Sequence, residues 1–218
     1  MNFEAARFNM IRQQIRPYHV LDERVLDAIA RAPREDFVPA AYRALAFADM
    51  EIPLGRGEVM LAPKLEARLL QELDLSPGDR VLEVGTGSGY FTALLAGLAA
   101  NVHTVEIHPG FKQNASARLA AHGVTNVSCE VGDAAHGWPR HAPYDAIVLT
   151  GSVPELAPSF RTSLREGGRI VAVIGRAPAM ELRRIERLGD DLGWRETSLI
   201  ETMCPPLRHA EPPAQFVF

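Results

Sequence analysis

The strongest structural signal in this chain is the run Val81-Leu82-Glu83-Val84-Gly85-Thr86-Gly87-Ser88-Gly89-Tyr90. An apolar, strand-like stretch leads into three closely spaced glycines, and a helical pattern follows them. Glycine allows positive φ angles and lets a ligand approach the backbone closely. The first turn of the following helix has unpaired amide groups that can bind a ligand. The run therefore predicts a ligand-binding turn between a strand and a helix.

The spacing of these glycines distinguishes between two classes of ligand. A dinucleotide fingerprint is Gly-x-Gly-x-x-Gly, whereas the third glycine here, Gly89, comes one residue early. An acid, Glu83, lies two residues before the first glycine. An acid followed by Gly-x-Gly-x-Gly resembles motif I of the class I S-adenosylmethionine methyltransferases, in which this loop packs under the amino-acid part of the cofactor. A nicotinamide-dependent dehydrogenase is the alternative enzyme class.

The residues after Arg80 alternate between short β-rich segments and helical segments. Strands are predicted at 80–84, 102–107, 127–131, 145–150 and 169–174, with helices at 90–100, 111–122 and 154–164. This alternation is typical of a doubly wound parallel sheet. Segments 180–187 and 194–203 flank a glycine-rich turn at 189–193, which predicts an antiparallel edge hairpin. We therefore expect an α/β, Rossmann-like, mostly parallel sheet of seven strands.

The first part of the chain, residues 1–75, is predicted to be a helical extension that carries a substrate loop. Helical spacing of apolar residues indicates helices near 8–15, 25–29 and 64–73. The intervening residues 49–63 contain proline and glycine and predict a loop. Residues 76–218 form the predicted cofactor-binding domain, and we expect the two parts to be one compact unit. The proline-rich end, at 205–206 and 212–213, is expected to be an ordered surface tail.

Two further acids are predicted to lie at the same edge of the sheet as the glycine turn. Glu106 ends the second strand, about where a ribose-binding acid falls in such folds. Asp133 follows the third strand and is similar to the methyltransferase acid that accepts a hydrogen bond from adenine. Each acid alone is also explained as a solvated strand end or a helix cap. The predicted cofactor-binding residues are Glu83, Gly85, Thr86, Gly87, Ser88, Gly89, Glu106, Ile107, Gly132, Asp133 and Ala134.

The composition argues against a protein that binds nucleic acid, a membrane surface or a metal ion. The net charge is -4, from 23 basic and 27 acidic side chains, so there is no basic footprint. The two cysteines, Cys129 and Cys204, are too few for a disulfide framework, and the histidines lack ligand spacing. No signal pattern or membrane-spanning segment is apparent. We expect a cytoplasmic monomer or homodimer without a metal site and without nucleic-acid or membrane partners.

Many further stretches resemble the protein-L-isoaspartate O-methyltransferase family over nearly the whole chain. They lie at residues 10–15, 22–26, 34–39, 46–49, 78–90, 132–133, 137–139, 143–147 and 166–169. That family repairs aged proteins by methylating the free carboxylate of isoaspartyl residues. The resemblance implies S-adenosyl-L-methionine as cofactor, S-adenosyl-L-homocysteine as product, and isoaspartyl proteins or peptides as substrates. A carboxylate is already ionised at neutral pH, so positioning can supply most of the catalysis.

The segment at residues 55–63 departs from the family's substrate loop. The family pattern Gly-x-Gly-Gln-Thr-Ile-Ser-Gln-Pro is here Gly-Arg-Gly-Glu-Val-Met-Leu-Ala-Pro. Leu61 replaces the Ser whose hydroxyl serves the acceptor site, Val59 replaces the Thr, and Glu58 replaces the Gln. By their position in this substrate loop, Leu61 and Glu58 are the candidate catalytic residues. A basic residue of the family's tail corresponds to Met203. The predicted substrate-binding residues are Val59, Met60, Leu61, Thr150 and Gly151.

These replacements leave three hypotheses for the function. The first is an isoaspartyl methyltransferase with its repair activity intact. The second is a methyltransferase with a less polar, unidentified small acceptor, because methyl groups replace hydroxyls; isoaspartyl activity is then weak or absent. In that hypothesis a free Glu58 repels a carboxylate and deprotonates a hydroxyl or amine, unless it faces solvent or pairs with Arg56. The third is a non-catalytic protein that binds S-adenosylmethionine.

Overall fold

A seven-stranded sheet forms the centre of this chain in the computed structural model, which describes residues 2–189 and 192–210. Its strands are β3 (Arg80–Val84), β4 (Asn101–Glu106), β5 (Val127–Val131), β6 (Tyr144–Leu149), β7 (Leu164–Arg176), β8 (Ala179–Arg187) and β9 (Trp194–Glu201). Two earlier strands, β1 (Ile52–Gly55) and β2 (Glu58–Met60), form a separate two-stranded sheet. The sheet order is β5-β4-β3-β6-β7-β8-β9. The first five strands in this order, β5, β4, β3, β6 and β7, pair in parallel. Strands β8 and β9 continue the sheet in antiparallel pairing. The predicted fold class and the antiparallel edge are confirmed, while turn residues 190–191 lie outside the described residues.

The α-helices of the described residues cover the sheet and build the N-terminal part. They are α1 (Phe3–Met10), α2 (Glu23–Arg31), α3 (Arg34–Phe37), α4 (Pro63–Leu73), α5 (Tyr90–Ala96), α6 (Pro109–Ala121) and α7 (Pro158–Thr162). Helix α5 is shorter than predicted because it ends at Gly97, a weak helix former. The helix predicted at 154–164 is reduced to α7, since Ser152 and Val153 form β-bridges to other segments. None of these helices is long and apolar enough to cross a bilayer.

The predicted loop at residues 49–63 instead contains a short antiparallel hairpin, β1–β2. Ile52 pairs with Met60 and Pro53 with Val59. The connection passes through Gly55, Arg56 and Gly57, which all have positive φ angles of 96°, 57° and 83°. Because strands of this length contain proline and glycine, their sequence gives no alternation that distinguishes them from a loop.

The N-terminal part and the sheet share one apolar core. Ile29 and Leu70 from the first part lie in the same buried cluster as Val81, Val148 and Val171 from the sheet. A second cluster covers the other face of the sheet, where Phe160 of α7 packs with apolar side chains of β3, β6 and β7. The β1–β2 hairpin is thus held next to the carboxyl ends of the central strands.

The tail after β9 returns to the carboxyl edge of the sheet. The amide of Leu207 donates to the Ser152 carbonyl at 2.9 Å, and the amide of Ser152 donates to the Pro205 carbonyl at 2.9 Å. Pro206 remains exposed, as expected for a surface tail, but the segment around it is fixed against the loop after β6. The second predicted proline pair, at 212–213, lies outside the described residues.

Candidate cofactor and acceptor site

A cavity of about 900 Å³, a volume that includes space open to solvent, lies where β3, β4, β5 and β6 end. Open α/β sheets bind ligands at this edge. The turns after the strands, the β1–β2 hairpin and the tail all contribute to its walls. The predicted residues that line it are Glu58, Val59, Met60, Leu61, Gly85, Thr86, Gly87, Ser88, Glu106, Ile107, Gly132, Asp133, Ala134, Thr150 and Gly151. Two predicted residues, Glu83 and Gly89, do not.

The glycine turn between β3 and α5 brings bare backbone to the cavity. Gly85 has a φ of 99°, and a Cβ placed there would lie 2.3 Å from the Thr150 Oγ1. The Thr150 hydroxyl donates to the carbonyls of Val84 and Gly85, at 2.9 and 2.8 Å, and so ties the turn to the end of β6. A Cβ on Gly89 would meet Ala115 of α6 at 3.0 Å. Gly89 therefore permits helix packing and does not contact the cavity.

Glu83 lies beneath the glycine turn and not in the cavity wall. Its side chain is fully buried, and the Thr92 hydroxyl donates to its Oε2 at 2.6 Å. Burial raises the pKa of Glu83 to about 8, so the group is largely protonated at neutral pH. The structure places Glu83 behind the cavity wall, where it supports the strand and helix on either side of the turn. The direct cofactor contact predicted for Glu83 stays a prediction.

Glu106 is held in the cavity wall by two backbone amides. Gly87 donates to its Oε2 at 2.8 Å, and His108 donates to its Oε1 at 2.9 Å. The side chain is almost completely buried and lines the cavity. Each carboxylate oxygen can accept a further hydrogen bond, so the group is oriented to receive a pair of ligand hydroxyls.

Asp133 lines the cavity on the far side of Glu106. Its Oδ1 accepts from the Ala135 amide at 3.1 Å, and its Oδ2 lies 2.7 Å from the Nδ1 of His209. Partial burial acts to raise its pKa, but hydrogen bonds from His209 and Ala135 outweigh this and hold the pKa below its ordinary value. The carboxylate is therefore ionised at neutral pH, and the tail residue His209 contacts it.

Leu61 follows the hairpin, and its backbone is fixed from behind by a buried arginine. Arg34 donates through Nη2 to the Leu61 carbonyl at 2.7 Å and through Nε to the Ala46 carbonyl at 2.8 Å. Its Nη1 pairs with Glu66, which also lines the cavity. Burial raises the pKa of Glu66 against the opposing attraction of Arg34. Sequence reasoning missed both residues, although Arg34 begins one of the family-like stretches.

Glu58 is paired with a tail cation that sequence reasoning also missed. The Nε of Arg208 donates to the Glu58 Oε1 at 2.6 Å, and its Nη2 donates to the Arg56 carbonyl at 2.6 Å. The His108 Nε2 lies 3.3 Å from the same Glu58 oxygen. Glu58 thus pairs with Arg208 rather than with the Arg56 side chain. No motif marks Arg208, because it follows the family-like tail segment and reaches the hairpin only through the fold.

Outside the cavity, His103, Glu130 and His141 come together with potential metal-ligand atoms within 4.8 Å of one another. The sequence did not indicate this cluster because its members lie on separate elements. The two imidazole rings are stacked at 4.1 Å with 12° between their planes. Parallel rings do not direct their nitrogens at one ion, and Glu130 already accepts from Arg140 and His141. In this conformation Glu130 is hydrogen-bonded to Arg140 and His141, and His103 contributes its stacked ring.

Comparison with known proteins gives a consistent family match. The family model described as "Protein-L-isoaspartate(D-aspartate) O-methyltransferase (PCMT)" matches residues 5–205. A protein-L-isoaspartate O-methyltransferase of Anaeromyxobacter dehalogenans (strain 2CP-C) is 44% identical over 195 residues, covering 88% of this chain and 93% of that protein. Another, of Herpetosiphon aurantiacus, is 38% identical over 205 residues, covering 94% and 91%.

Solved structures agree on the fold. A structure described as a protein-L-isoaspartate O-methyltransferase has a TM-score of 0.76 and 25% identity, covering 93% of this chain and 65% of that chain. A Plasmodium falciparum structure, described as a putative member in complex with S-adenosyl-L-homocysteine, also has a TM-score of 0.76. It is 18% identical and covers 95% of this chain and 99% of its own. At that identity the likeness concerns the fold alone.

Proposed function

This chain belongs to the protein-L-isoaspartate O-methyltransferase family, and we propose that it methylates the free carboxylate of isoaspartyl residues in peptides and proteins. The family's members are S-adenosylmethionine-dependent O-methyltransferases, and the chain is such an enzyme. The observation that carries the proposal is that one cavity is lined both by the acids of the cofactor edge and by the hairpin that corresponds to the family's substrate loop.

We propose S-adenosyl-L-methionine as the methyl donor and S-adenosyl-L-homocysteine as the product. The groups in the cavity fit this cofactor: Glu106 offers two oriented oxygens to a ribose, and Asp133 offers an acceptor to an adenine amino group. The glycine turn offers backbone to an amino-acid moiety, because Gly85 and Gly87 line the cavity without side chains. When bound, the cofactor supplies an electrophilic methyl group on a sulfonium centre.

The residues of this chain contribute positioning rather than proton transfer. An acceptor carboxylate is ionised at neutral pH and needs no general base. Arg34 fixes the Leu61 carbonyl, and with it the wall against which the acceptor is placed. Val59 and Leu61 are apolar and exclude water from that side of the cavity. Holding a nucleophile in line with the methyl group accounts for a large part of the acceleration.

A second candidate function, methylation of a less polar small acceptor, is favoured by one observation. Val59 and Leu61 line the cavity with hydrocarbon where the family has hydroxyls. Glu58, the base that this candidate needs, is already engaged by Arg208 and lies beside His108. The same pairing removes the repulsion of an acceptor carboxylate that a free Glu58 would cause.

Methyl transfer to matched peptides tests the proposed function. One peptide contains an isoaspartyl residue and the other an aspartyl residue in the same sequence, and both are compared with a panel of apolar alcohols and amines. We expect release of S-adenosylhomocysteine only with the isoaspartyl peptide. Turnover of an alcohol or amine in preference to that peptide would support the second candidate. Cofactor binding without turnover of any acceptor would indicate the binding-only hypothesis.

We further propose a cytoplasmic location with protein or peptide substrates. Both described cysteines, Cys129 and Cys204, are free, in keeping with a reducing compartment. The net charge of -4 gives no support to nucleic-acid or anionic-membrane partners. The oligomeric state, monomer or homodimer, stays a prediction.

A further inference from the structure

The charged residues around the cavity are mostly acidic. Among the described residues that line it, Glu58, Glu66, Glu106 and Asp133 carry carboxyl groups, and Arg208 is the one arginine or lysine. An acceptor carboxylate entering this space meets like charges unless they are compensated. The cavity therefore needs a cation to hold a negatively charged acceptor.

Arg34, a cation behind the hairpin, is already engaged by other residues of the chain. Each nitrogen of the Arg34 guanidinium has a partner, namely the Ala46 carbonyl, Glu66 and the Leu61 carbonyl. Its side chain is only 1% exposed, so no ligand can reach it. Arg34 neutralises Glu66 and fixes the Leu61 carbonyl, but its burial keeps it from an acceptor.

Arg208 differs because part of its guanidinium is open. Its hydrogen bonds to described residues use Nε, which donates to Glu58, and Nη2, which donates to the Arg56 carbonyl. The Nη1 end makes neither of these bonds, and the side chain is 48% exposed. A Cβ on Gly57 would lie 3.1 Å from Nη2, so the glycine lets the hairpin tip approach the guanidinium.

The backbone places Arg208 firmly at the acceptor end of the cavity. Ser152 makes three hydrogen bonds to the preceding part of the tail. Its amide donates to the Pro205 carbonyl, its hydroxyl donates to the Cys204 carbonyl, and its carbonyl accepts from the Leu207 amide. A Cβ on Gly151 would lie 2.9 Å from the Leu207 Cδ2, which shows how closely the tail packs there. Arg208 is thus held between the sheet edge and the hairpin.

We propose that Arg208 binds the carboxylate of the acceptor through the Nη1 side of its guanidinium. This role rests on the proposed function and names the residue that recognises the anionic substrate. It replaces, with a charge-assisted hydrogen bond, the neutral hydroxyls that are absent at Val59 and Leu61. Glu58 orients the guanidinium and partly offsets its charge.

A binding experiment with two peptides and two variants tests this role. One peptide carries the free isoaspartyl carboxylate, and the other carries a carboxamide at that position. Calorimetry measures the Kd of each peptide for protein saturated with S-adenosylhomocysteine. Arg208→Gln should weaken binding of the carboxylate peptide at least about tenfold and leave the carboxamide peptide unchanged. Arg56→Gln is the matched control, because that side chain is on the same hairpin but does not line the cavity.

The controls separate recognition from a purely structural effect of the tail. The Kd for S-adenosylhomocysteine should stay within about twofold in Arg208→Gln. In turnover, KM for the isoaspartyl peptide should rise more than kcat falls, and Arg208→Lys should restore part of the affinity because it keeps the charge. Glu58→Gln should tighten the carboxylate peptide by removing the offsetting charge.

Equal weakening of both peptides by Arg208→Gln, or weakening of neither, would overturn the proposal. Failure of the proposed function has a different signature. The wild type would then bind S-adenosylhomocysteine but transfer no methyl group to the isoaspartyl peptide, while the binding comparison would still report on Arg208. A wild type that binds the carboxylate peptide no better than the carboxamide peptide would also contradict the role of Arg208.

Discussion

Leu61 places a hydrocarbon side chain where the family has a hydroxyl, and its backbone is fixed by a hydrogen bond. Arg34 fixes its carbonyl, and the side chain is 6% exposed at the cavity wall. The substitution therefore removes a hydrogen-bond donor without disturbing the hairpin. The substitution should change the affinity for the acceptor and not the affinity for the cofactor, since it alters only the part of the cavity lined by the hairpin.

Restoring the hydroxyl tests this separation. Leu61→Ser should raise kcat/KM for an isoaspartyl peptide about three- to tenfold, because one neutral hydrogen bond contributes about 1 kcal/mol. The Kd for S-adenosylhomocysteine should not change. Leu21→Ser, at a residue that is 63% exposed and outside the cavity wall, is the control. An unchanged kcat/KM would mean that the acceptor does not contact residue 61.

Glu106 is the residue on which cofactor affinity should depend most. In Glu106→Gln one oxygen becomes an amino group facing the amide of Gly87 or His108, so a buried hydrogen bond is lost. The Kd for S-adenosylhomocysteine should rise about 10- to 100-fold, as expected for about 1.5–3 kcal/mol. Calorimetry measures this against Glu155→Gln, an exposed residue outside the cavity wall. Similar affinities for the two variants would contradict a ribose-binding role.

At the scale of elements, the sequence predicts the glycine turn and the strand before it but does not predict the β1–β2 hairpin. β3, which leads into the turn, is buried at four of its five residues and has the predicted limits. The hairpin is too short and too rich in proline and glycine to give a pattern. The pairing of Glu58 with Arg208 joins residues that are 150 positions apart. No local sequence pattern indicates a contact between residues so far apart. The residues on the hairpin side of the cavity could therefore be predicted only in part.

The turn itself should tolerate no side chain at its first glycine. Gly85→Ala adds a Cβ that would lie 2.3 Å from the Thr150 Oγ1, at a φ of 99°. We expect a loss of about 2 kcal/mol or more in the free energy of unfolding, together with weaker cofactor binding. Gly110→Ala, in α6 with open space around it, should be neutral. Thermal denaturation of both variants checks this, and a stable Gly85→Ala that binds normally would contradict the described turn.

At the scale of the whole molecule, the N-terminal part and the sheet are joined by polar as well as apolar contacts. Arg169 of β7 donates to the Asp74 carbonyl at 2.6 Å and pairs with Asp79 at 2.6 Å, bridging the connection between α4 and β3. The shared core and this bridge favour the view that residues 1–75 are not an independent domain. The boundary at residue 75 stays a prediction, as does the single compact unit.

The buried carboxyl of Glu83 should make the stability of the whole molecule depend on pH. Its pKa is raised from 4.5 to about 8 by burial, so folding favours the protonated form. This contribution is fully present below pH 4.5 and is lost as the pH rises toward 8. The free energy of unfolding of the wild type should fall relative to Glu83→Gln over this range, by at most about 1.4 kcal/mol per pH unit. Denaturant unfolding at each pH measures the free energy of unfolding of both proteins. The same pH dependence for the wild type and Glu83→Gln would contradict the raised pKa of Glu83.

The most direct test of the account is a crystal structure of the protein with S-adenosylhomocysteine and an isoaspartyl peptide. We predict that both ribose hydroxyls lie within hydrogen-bond distance of Glu106, and that the sulfur faces the wall formed by Val59 and Leu61. The free carboxylate of the peptide should lie against that wall. A cofactor bound away from Glu106, or a hairpin turned away from the sulfur, would contradict the central claim that one cavity holds both donor and acceptor.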